Sequence, residues 1–368
     1  MLNFNTLKQA TPLVLTLLIS LVLIACYPEH NQSTFDAAGP VAEKQLNVFW
    51  WILIGAAIVF VIVEAALAYA IIKYRRKDES ETPKQTHGNA KLELVWTTLP
   101  ALMLIIIAIP TINTLFYAAE PPKHALEQHT LQAIGHQWWF EFRYPSPSDE
   151  NKEIVTANEV YIPVGYPISI ELDSVDVIHS FWVPKLAGKV DMVPAEGNKM
   201  WFEADEPGVY YGQCAEYCGD SHANMRFRVV AVPENEFNDW LAYQSAPAIE
   251  SPDALALSGQ EVFKSAGCSG CHALKTVVNK GSKGRIGPNL THVASRRHLA
   301  AGVLTNSEDG GPVNDSYLQD NLRNWIKDPN SIKPGNIMSA QGVVYTDPDR
   351  KLTEEEISAL VGYLTTLK

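Results

Sequence analysis

The sequence has few charged side chains for its length and a deficit of basic ones. Its 368 residues include 29 Lys and Arg against 41 Asp and Glu, so the net charge is -12, and charged residues make up 19 % of the chain. A nucleic-acid surface needs an excess of Lys and Arg, so this balance argues against nucleic acid as the main partner. Repeats at solenoid periods are also lacking. The length suits two or three domains.

Cysteine is scarce as well, because the chain has only five. Cys26 follows an apolar run, Cys214 and Cys218 share one loop motif, and Cys268 and Cys271 come just before a histidine. An exported protein could hold disulfides, but each cysteine here has another use and none is left over for a structural bridge. The alternative, a disulfide between the two loop cysteines, would leave the neighbouring histidines and methionine without a role.

The apolar residues are concentrated in three runs near the N-terminus. The first, residues 11–24, follows Lys8 and leads through Leu-Ile-Ala into Cys26. A basic start, a short apolar core and a small residue before the cut are typical of a secretory signal. We therefore predict a lipoprotein-type signal peptide over residues 1–25 and an acylated Cys26. The alternative is a membrane helix that happens to contain a cysteine.

The second and third runs, residues 48–72 and 94–116, are each long enough to cross a hydrocarbon core of about 30 Å. Between them lies a basic cluster at residues 73–77. Positive loops stay in the cytoplasm, so we predict a transmembrane hairpin over residues 45–118, with its turn inside and the rest of the chain outside. Glu64 lies within the first span, where a carboxyl group is expected to face protein, such as a partner subunit.

After the hairpin, short stretches of β-like alternation are separated by Pro, Gly or Asp and followed by one helix. The strand candidates are residues 130–134, 160–161, 168–172, 200–202, 209–211 and 225–230, and the helix covers residues 233–243. Several strands at this spacing predict a β-sandwich or barrel over residues 124–244. Residues 245–254 have linker composition, and we expect this linker to let the C-terminal domain lie farther from the membrane.

Residues 255–368 have a helical pattern, with helices predicted over residues 255–265, 317–327 and 353–367. Thr353 and Glu356 form a capping-box pattern at the start of the last helix.

This C-terminal region also contains the pattern for covalent attachment of haem c. In Cys268-Ser-Gly-Cys271-His272 the two thiols can bond to the porphyrin and the histidine can ligate the iron. Met338 is the only methionine after this motif and is the candidate sixth ligand, which would give a high-potential haem. His292 and His298 are alternative ligands.

The loop from Cys214 to Met225 is dense in metal-binding side chains. It also holds Cys218 and His222, while His179 lies upstream. Two thiolates, two imidazoles and a thioether form a soft ligand set that suits copper. Two Cys and two His alone would also suit tetrahedral zinc, but zinc would leave the methionine without a role.

This copper loop resembles the binuclear CuA motif in subunit II of the haem–copper cytochrome c oxidases, and the haem motif after it indicates a fused cytochrome c domain. The resemblance covers nearly all of residues 45–368. It implies two coppers that share two bridging thiolates, with imidazole, thioether and carbonyl groups as the other ligands. The bridging thiolates would be those of Cys214 and Cys218, and the imidazoles those of His179 and His222. Met225 would supply the thioether and the main chain of Glu216 the carbonyl.

The resemblance implies three parts: a two-helix transmembrane hairpin, a cupredoxin-like β-sandwich that binds CuA, and an all-α class I cytochrome c domain. Trp138 matches the family tryptophan that receives electrons, although an aromatic cluster in a strand also suits packing. The Glu216 side chain is implied to bind Mg or Mn shared with subunit I, since oxygen ligands suit hard cations. Glu93 matches a carboxylate at the mouth of a proton channel of subunit I, and a solvated flank is the alternative.

The function implied by the resemblance is that of the electron-accepting subunit of a proton-pumping cytochrome c oxidase. Electrons from a donor cytochrome c or quinol–cytochrome c reductase would pass through haem c and CuA to haem in subunit I, where oxygen is reduced to water. The location implied is the bacterial inner membrane, with other oxidase subunits and lipid as neighbours and both redox domains outside. Quinol-oxidase subunits lack these ligands. The alternative is a CuA subunit of another respiratory reductase, such as nitric oxide reductase.

Overall fold

The computed structural model describes residues 30–76, 85, 87–123, 130–145, 153–277, 282–308 and 311–368. The predicted signal peptide and Cys26 lie outside these residues. Three parts follow one another along the chain: a helical hairpin, a β-sandwich and a mostly helical C-terminal domain. This order confirms the three-part fold expected from the sequence.

Two long helices form the hairpin, α1 (Pro40–Lys73) and α2 (Ala90–Ala119). Both are long and apolar enough to cross a membrane, and almost all of their side chains are exposed in the isolated chain. At 1.5 Å per residue, the 34 residues of α1 exceed what a hydrocarbon core of about 30 Å needs. Its first turn instead reaches the β-sandwich, where Val41 is part of the core.

The β-sandwich consists of two five-stranded sheets. Its strands are β1 (Thr130–His136), β2 (Trp139–Pro145), β3 (Glu153–Ala157), β4 (Glu159–Pro163), β5 (Ile168–Ser174), β6 (His179–Trp182), β7 (Val190–Met192), β8 (Asn198–Phe202), β9 (Gly208–Cys214) and β10 (Arg226–Val232). The strand orders are β3-β2-β1-β5-β8 and β4-β10-β9-β6-β7. Each sheet contains one parallel pair, β1 with β5 and β4 with β10.

Aromatic rings fill the space between the sheets. Phe140 and Phe181, from opposite sheets, both pack on Phe227 with ring centroids 4.6 Å apart, and all three rings are fully buried. Helix α3 (Glu234–Ser245) closes one side of the sandwich, where Trp240 stacks on Tyr161 at 4.4 Å. The core is therefore continuous from strand β2 to the closing helix.

The C-terminal domain is built around its first and last helices, α4 (Ala254–Ser265) and α10 (Glu354–Leu364), which pack against each other. Gly259 allows their close approach, since a Cβ there would lie 2.0 Å from the carbonyl oxygen of Ala359. Thr353 and Glu356 form the capping box at the start of α10. The remaining helices are α5 (Cys268–Cys271), α6 (Asp315–Lys327), α7 (Pro329–Ile332), α8 (Ile337–Gln341) and α9 (Val343–Thr346).

Part of the segment between α3 and α4 packs against the C-terminal domain, in contrast to the free linker expected from its composition. Ala248 is fully buried in the core of that domain and donates a backbone hydrogen bond to the Lys275 carbonyl at 2.9 Å. The carbonyl of Ala246 lies 3.0 Å from His292 Nε2. Small side chains in this segment therefore allow close packing against the C-terminal domain.

Candidate functional site

Two sulfur atoms at the open end of one sheet form the centre of the first site. Strand β6 begins at His179 and pairs with the end of β9, where Phe181 lies opposite Cys214, so that the side chains of His179 and Cys214 come close to each other. The backbone N–H of Cys214 donates to the Met225 carbonyl at 2.9 Å, which closes the intervening loop. Cys218 is thereby folded back, and its Sγ lies 3.7 Å from Cys214 Sγ.

The other candidate ligands surround this pair of sulfurs. His179 Nδ1 lies 3.9 Å from Cys214 Sγ, and the main-chain oxygen of Glu216 lies 3.2 Å from the same atom. His222 Nδ1 and Met225 Sδ lie 3.5 Å and 3.9 Å from Cys218 Sγ. The structure thus brings all six candidate donor groups into one cluster.

The surroundings orient the donors and activate the thiols. His179 Nε2 lies 2.8 Å from Asp176 Oδ1, so its other nitrogen is directed at Cys214. The hydrogen bond with Cys218 lowers the pKa of Cys214 far below the usual thiol range, so one thiolate forms readily, and the thiolate is the form that binds metals. Sequence reasoning missed Asp176, although its position three residues before His179 was visible. A set of sulfur and imidazole donors that is buried except for the half-buried His222 fits copper.

The second site is a cavity of about 370 Å³ in the C-terminal domain. Helix α5 places Cys268 and Cys271 on its wall, and His272 follows directly. His272 Nδ1 lies 2.8 Å from the carbonyl oxygen of Pro288, and burial lowers the pKa of this imidazole. A neutral imidazole that donates from Nδ1 leaves Nε2 as the acceptor for a metal.

Met338 lines the same cavity, carried by α8. The two alternative ligands have other partners: His292 Nε2 lies 3.0 Å from the Ala246 carbonyl oxygen, and His298 Nδ1 lies 3.2 Å from Glu159 Oε1. An apolar cavity with two thiols, a free imidazole nitrogen and a thioether on its walls fits a covalently attached haem.

Trp138 lies between the two sites. This residue lines the haem cavity, and its indole N–H donates to the carbonyl of Cys218 at 2.9 Å. The neighbouring Gln137 donates from Nε2 to the same carbonyl at 2.7 Å. The main chain of one candidate copper ligand therefore contacts the side chain of a residue that lines the haem cavity.

The C-terminal domain is docked on the β-sandwich at this point rather than held away from it by the linker. Glu159 accepts hydrogen bonds from the His298 main chain at 2.8 Å and contacts its ring, and both side chains are at most 7 % exposed. The backbone N–H of Arg226 donates to the Ala301 carbonyl at 3.1 Å. Sequence reasoning missed this interface, because its polar residues are spread over distant parts of the chain.

The other candidate residues lie apart from these two sites or at their edge. Glu93 is in the first turn of α2 and Glu64 is in the middle of α1, and both are exposed in the isolated chain. The side chain of Glu216 is 43 % exposed and lies 3.8 Å from Lys189 Nζ. These carboxylates are accessible to partner subunits.

A membrane hairpin that carries a copper-type donor cluster and a haem-c attachment cavity defines a membrane-bound electron-transfer protein. Three family models match the chain: the transmembrane domain of cytochrome c oxidase subunit II over residues 28–114, its periplasmic domain over residues 147–232, and cytochrome c over residues 256–368. The chain belongs to the cytochrome c oxidase subunit II family, in a form with a C-terminal cytochrome c domain, and is a component of such an oxidase.

Relatives of the same organisation span almost the whole chain. Cytochrome c oxidase subunit 2 of Alkalihalophilus pseudofirmus is 39 % identical over 354 residues, which is 95 % of each chain. The subunit 2 of Bacillus subtilis is 33 % identical over 370 residues, which is 97 % of each chain. A crystal structure of the periplasmic domain of cytochrome oxidase subunit II from Bradyrhizobium japonicum is 32 % identical and covers 32 % of this chain and 94 % of its own, with a TM-score of 0.30.

Proposed function

We propose that this chain receives electrons at its own haem c and passes them through a CuA centre to haem in subunit I of a proton-pumping cytochrome c oxidase, which reduces oxygen to water. The observation that carries this proposal is the position of Trp138. Trp138 lines the haem cavity, and its indole N–H donates to the carbonyl of Cys218. One aromatic residue thus contacts both sites, which supports its role as the point where the copper domain receives electrons.

Both groups supply reversible one-electron chemistry when they are bound. In the copper domain, the residues that would hold the metal are His179, Cys214, Cys218, His222, Met225 and the Glu216 carbonyl. In the cytochrome domain, Cys268 and Cys271 would attach the haem, and His272 and Met338 would ligate its iron. The strands and the Asp176 contact hold the copper donors in place, which supports electron transfer with little rearrangement.

The charge and direction of the hairpin support a location of both redox domains at the outer face of the bacterial inner membrane. The basic residues at and just after the end of α1, Lys73 and Arg75, suit the cytoplasmic side. The sandwich follows the opposite end of the hairpin, so both redox domains would be outside, where a donor cytochrome c or quinol–cytochrome c reductase can deliver electrons.

Acylation of Cys26 would add a lipid anchor on that same outer side. Intact-mass measurement of the native chain tests this proposal. A mature chain that begins at Cys26 and carries added acyl mass is expected, and a chain that still begins at Met1 would rule it out.

Two carboxylates are proposed to act with subunit I. The exposed Glu216 side chain lies beside the copper loop, where it can offer oxygen to a Mg or Mn ion completed by the partner. Glu93 lies in the first turn of α2, at the cytoplasmic end of the hairpin, and would lie at the mouth of a proton channel of subunit I.

The test is to purify the intact complex through a tag on this chain, identify its largest partner and measure which gas it reduces. We expect a haem–copper oxidase subunit I and consumption of oxygen with reduced cytochrome c as donor. A complex that reduces nitric oxide but not oxygen would instead assign the chain to another respiratory reductase.

A further inference from the structure

Lys333 is a buried cation at the boundary between the two redox domains. Only 3 % of its surface is exposed, whereas lysines are almost never fully buried unless they are paired. Its Nζ donates to the main-chain carbonyl of Trp138 and, at 3.4 Å, to that of Ala300. Both hydrogen bonds end on neutral carbonyls rather than on a carboxylate. A side chain that is costly to bury therefore reaches the backbone of the residue that joins the two sites.

The main chain of Lys333 also supports the loop that carries the candidate iron ligand. Its carbonyl accepts a hydrogen bond from Asn336 Nδ2 at 2.6 Å. Asn336 Oδ1 in turn accepts from the Ser339 backbone N–H at 2.9 Å and caps α8, the helix that carries Met338. The main chain of Lys333 thus contacts the segment that leads to Met338, and its side chain contacts Trp138.

The next residues of this loop, Pro334 and Gly335, lie close to the copper loop and to the indole ring of Trp138. Ser221 Oγ donates to the Pro334 carbonyl at 2.6 Å. Gly335 has φ +74°, and a Cβ there would lie 3.1 Å from Trp138 Cη2. Trp138 is therefore held by Gly335 at its ring and by Lys333 at its main chain.

We propose that Lys333 is a positioning residue for electron transfer between the haem cavity and the copper loop. By holding the Trp138 main chain from the cytochrome side, its side chain keeps the indole in contact with the cavity and with the Cys218 carbonyl at once. This inference rests on the proposed function. In each transfer one electron leaves the ferrous haem iron, which becomes ferric, and the copper pair is reduced by that electron.

Burial lowers the pKa of Lys333 to about 7. The nitrogen keeps N–H donors on either side of that value, so the hydrogen bond to Trp138 does not require the charge. The proposed role is therefore one of geometry.

The direct test uses the purified complex with Lys333→Met, which keeps the length of the side chain and removes the donor. Stopped-flow absorbance should show normal reduction of haem c by the donor, followed by reoxidation that is at least about tenfold slower, because small misplacements in a reacting pair reduce rates steeply. Lys327→Met is the matched control. That lysine is 57 % exposed and pairs with Glu354 on the surface of the same domain, so reoxidation should keep the wild-type rate.

A second measurement does not depend on activity. In hydrogen exchange of the full chain, peptides covering residues 136–139 and 333–339 should exchange faster in Lys333→Met, whereas α10 should be unchanged. Lys333→Gln retains an N–H donor and should recover part of the reoxidation rate. The haem c absorbance and the copper paramagnetic resonance spectrum should stay as in the wild type in both variants.

Several results would overturn the proposal. One is a wild-type reoxidation rate in Lys333→Met, and another is loss of the haem or copper spectrum, since either would show that the lysine is not a positioning residue. A failure of the proposed function itself is separate. It would appear as reoxidation of haem c at the wild-type rate in the His222→Asn variant, whatever the Lys333 variants show.

Discussion

At the scale of single residues, the copper site depends on donors that two strands, β6 and β9, and the loop after β9 bring together. The sulfur atoms of Cys214 and Cys218 lie 3.7 Å apart, and each has its own imidazole neighbour. A pair of this kind can share two metals between two thiolates, whereas one sulfur cannot bridge them in the same way.

We therefore expect Cys214→Ser to abolish the shared-electron signal of the copper pair. A serine hydroxyl is a hard donor that bridges copper poorly. Electron paramagnetic resonance of the full chain is the measurement. Cys271→Ser is the control, because it alters haem attachment and should leave the copper signal intact. A delocalised signal that survives in Cys214→Ser would contradict the bridging role.

Met338→Ala should leave the haem attached and lower its reduction potential. Cys268 and Cys271 are untouched, but loss of the thioether removes the ligand that raises the potential. Redox titration followed by absorbance measures the change. His292→Gln should have no such effect, since His292 Nε2 already contacts the Ala246 carbonyl. An unchanged potential in Met338→Ala would mean that another residue is the sixth ligand.

At the scale of elements, the docking of the cytochrome domain on the sandwich depends on the contact of β4 with the loop at residues 297–301. Glu159 and His298 lie at its centre, with side chains only 7 % and 5 % exposed. Breaking a buried pair by removing one partner is costly because the other polar group stays buried.

Glu159→Ala should weaken this docking by about 3 kcal/mol. Faster hydrogen exchange at the backbone amide of Arg226 would report it, because this amide donates across the interface to the Ala301 carbonyl, which the substitution leaves in place. Glu171→Ala is the control, since its pair with Lys199 is exposed and is worth at most about 1 kcal/mol. Equal exchange in the two variants would show that the buried contact does not hold the domains together.

The sequence predicted the ligands better than the contacts between elements. The donor groups of the copper loop and the haem motif are local patterns, and their residue types alone indicate soft metals and haem c. Strands β2 and β3 and the short strands β6 and β7 were not predicted. The alternation of aromatic and charged residues from Phe140 to Tyr144 in β2 was overlooked, whereas β6 and β7 contain only four and three residues, too few to show a period. Docking at Lys333 depends on tertiary packing, which no short window of sequence records.

At the scale of the whole molecule, a series of contacts connects the membrane hairpin, the copper domain and the cytochrome domain. Trp201 Nε1 in the sandwich donates to the carbonyl of Tyr117 at the end of α2 at 3.0 Å, and Val41 of α1 is part of the sandwich core. The copper domain is therefore held at the membrane, and the cytochrome domain is held on the copper domain beside Trp138. The contacts therefore run from the hairpin to the copper domain and from the copper domain to the cytochrome domain.

The most direct test of this order is reoxidation of haem c in the complex that carries His222→Asn. The substitution removes one imidazole from the copper cluster and leaves Cys268, Cys271 and His272 untouched. In stopped-flow experiments with reduced donor and oxygen, we expect haem c to become reduced at the wild-type rate and then to stay reduced. Reoxidation of haem c at the wild-type rate in this variant would show that electrons bypass the copper centre and would contradict the account.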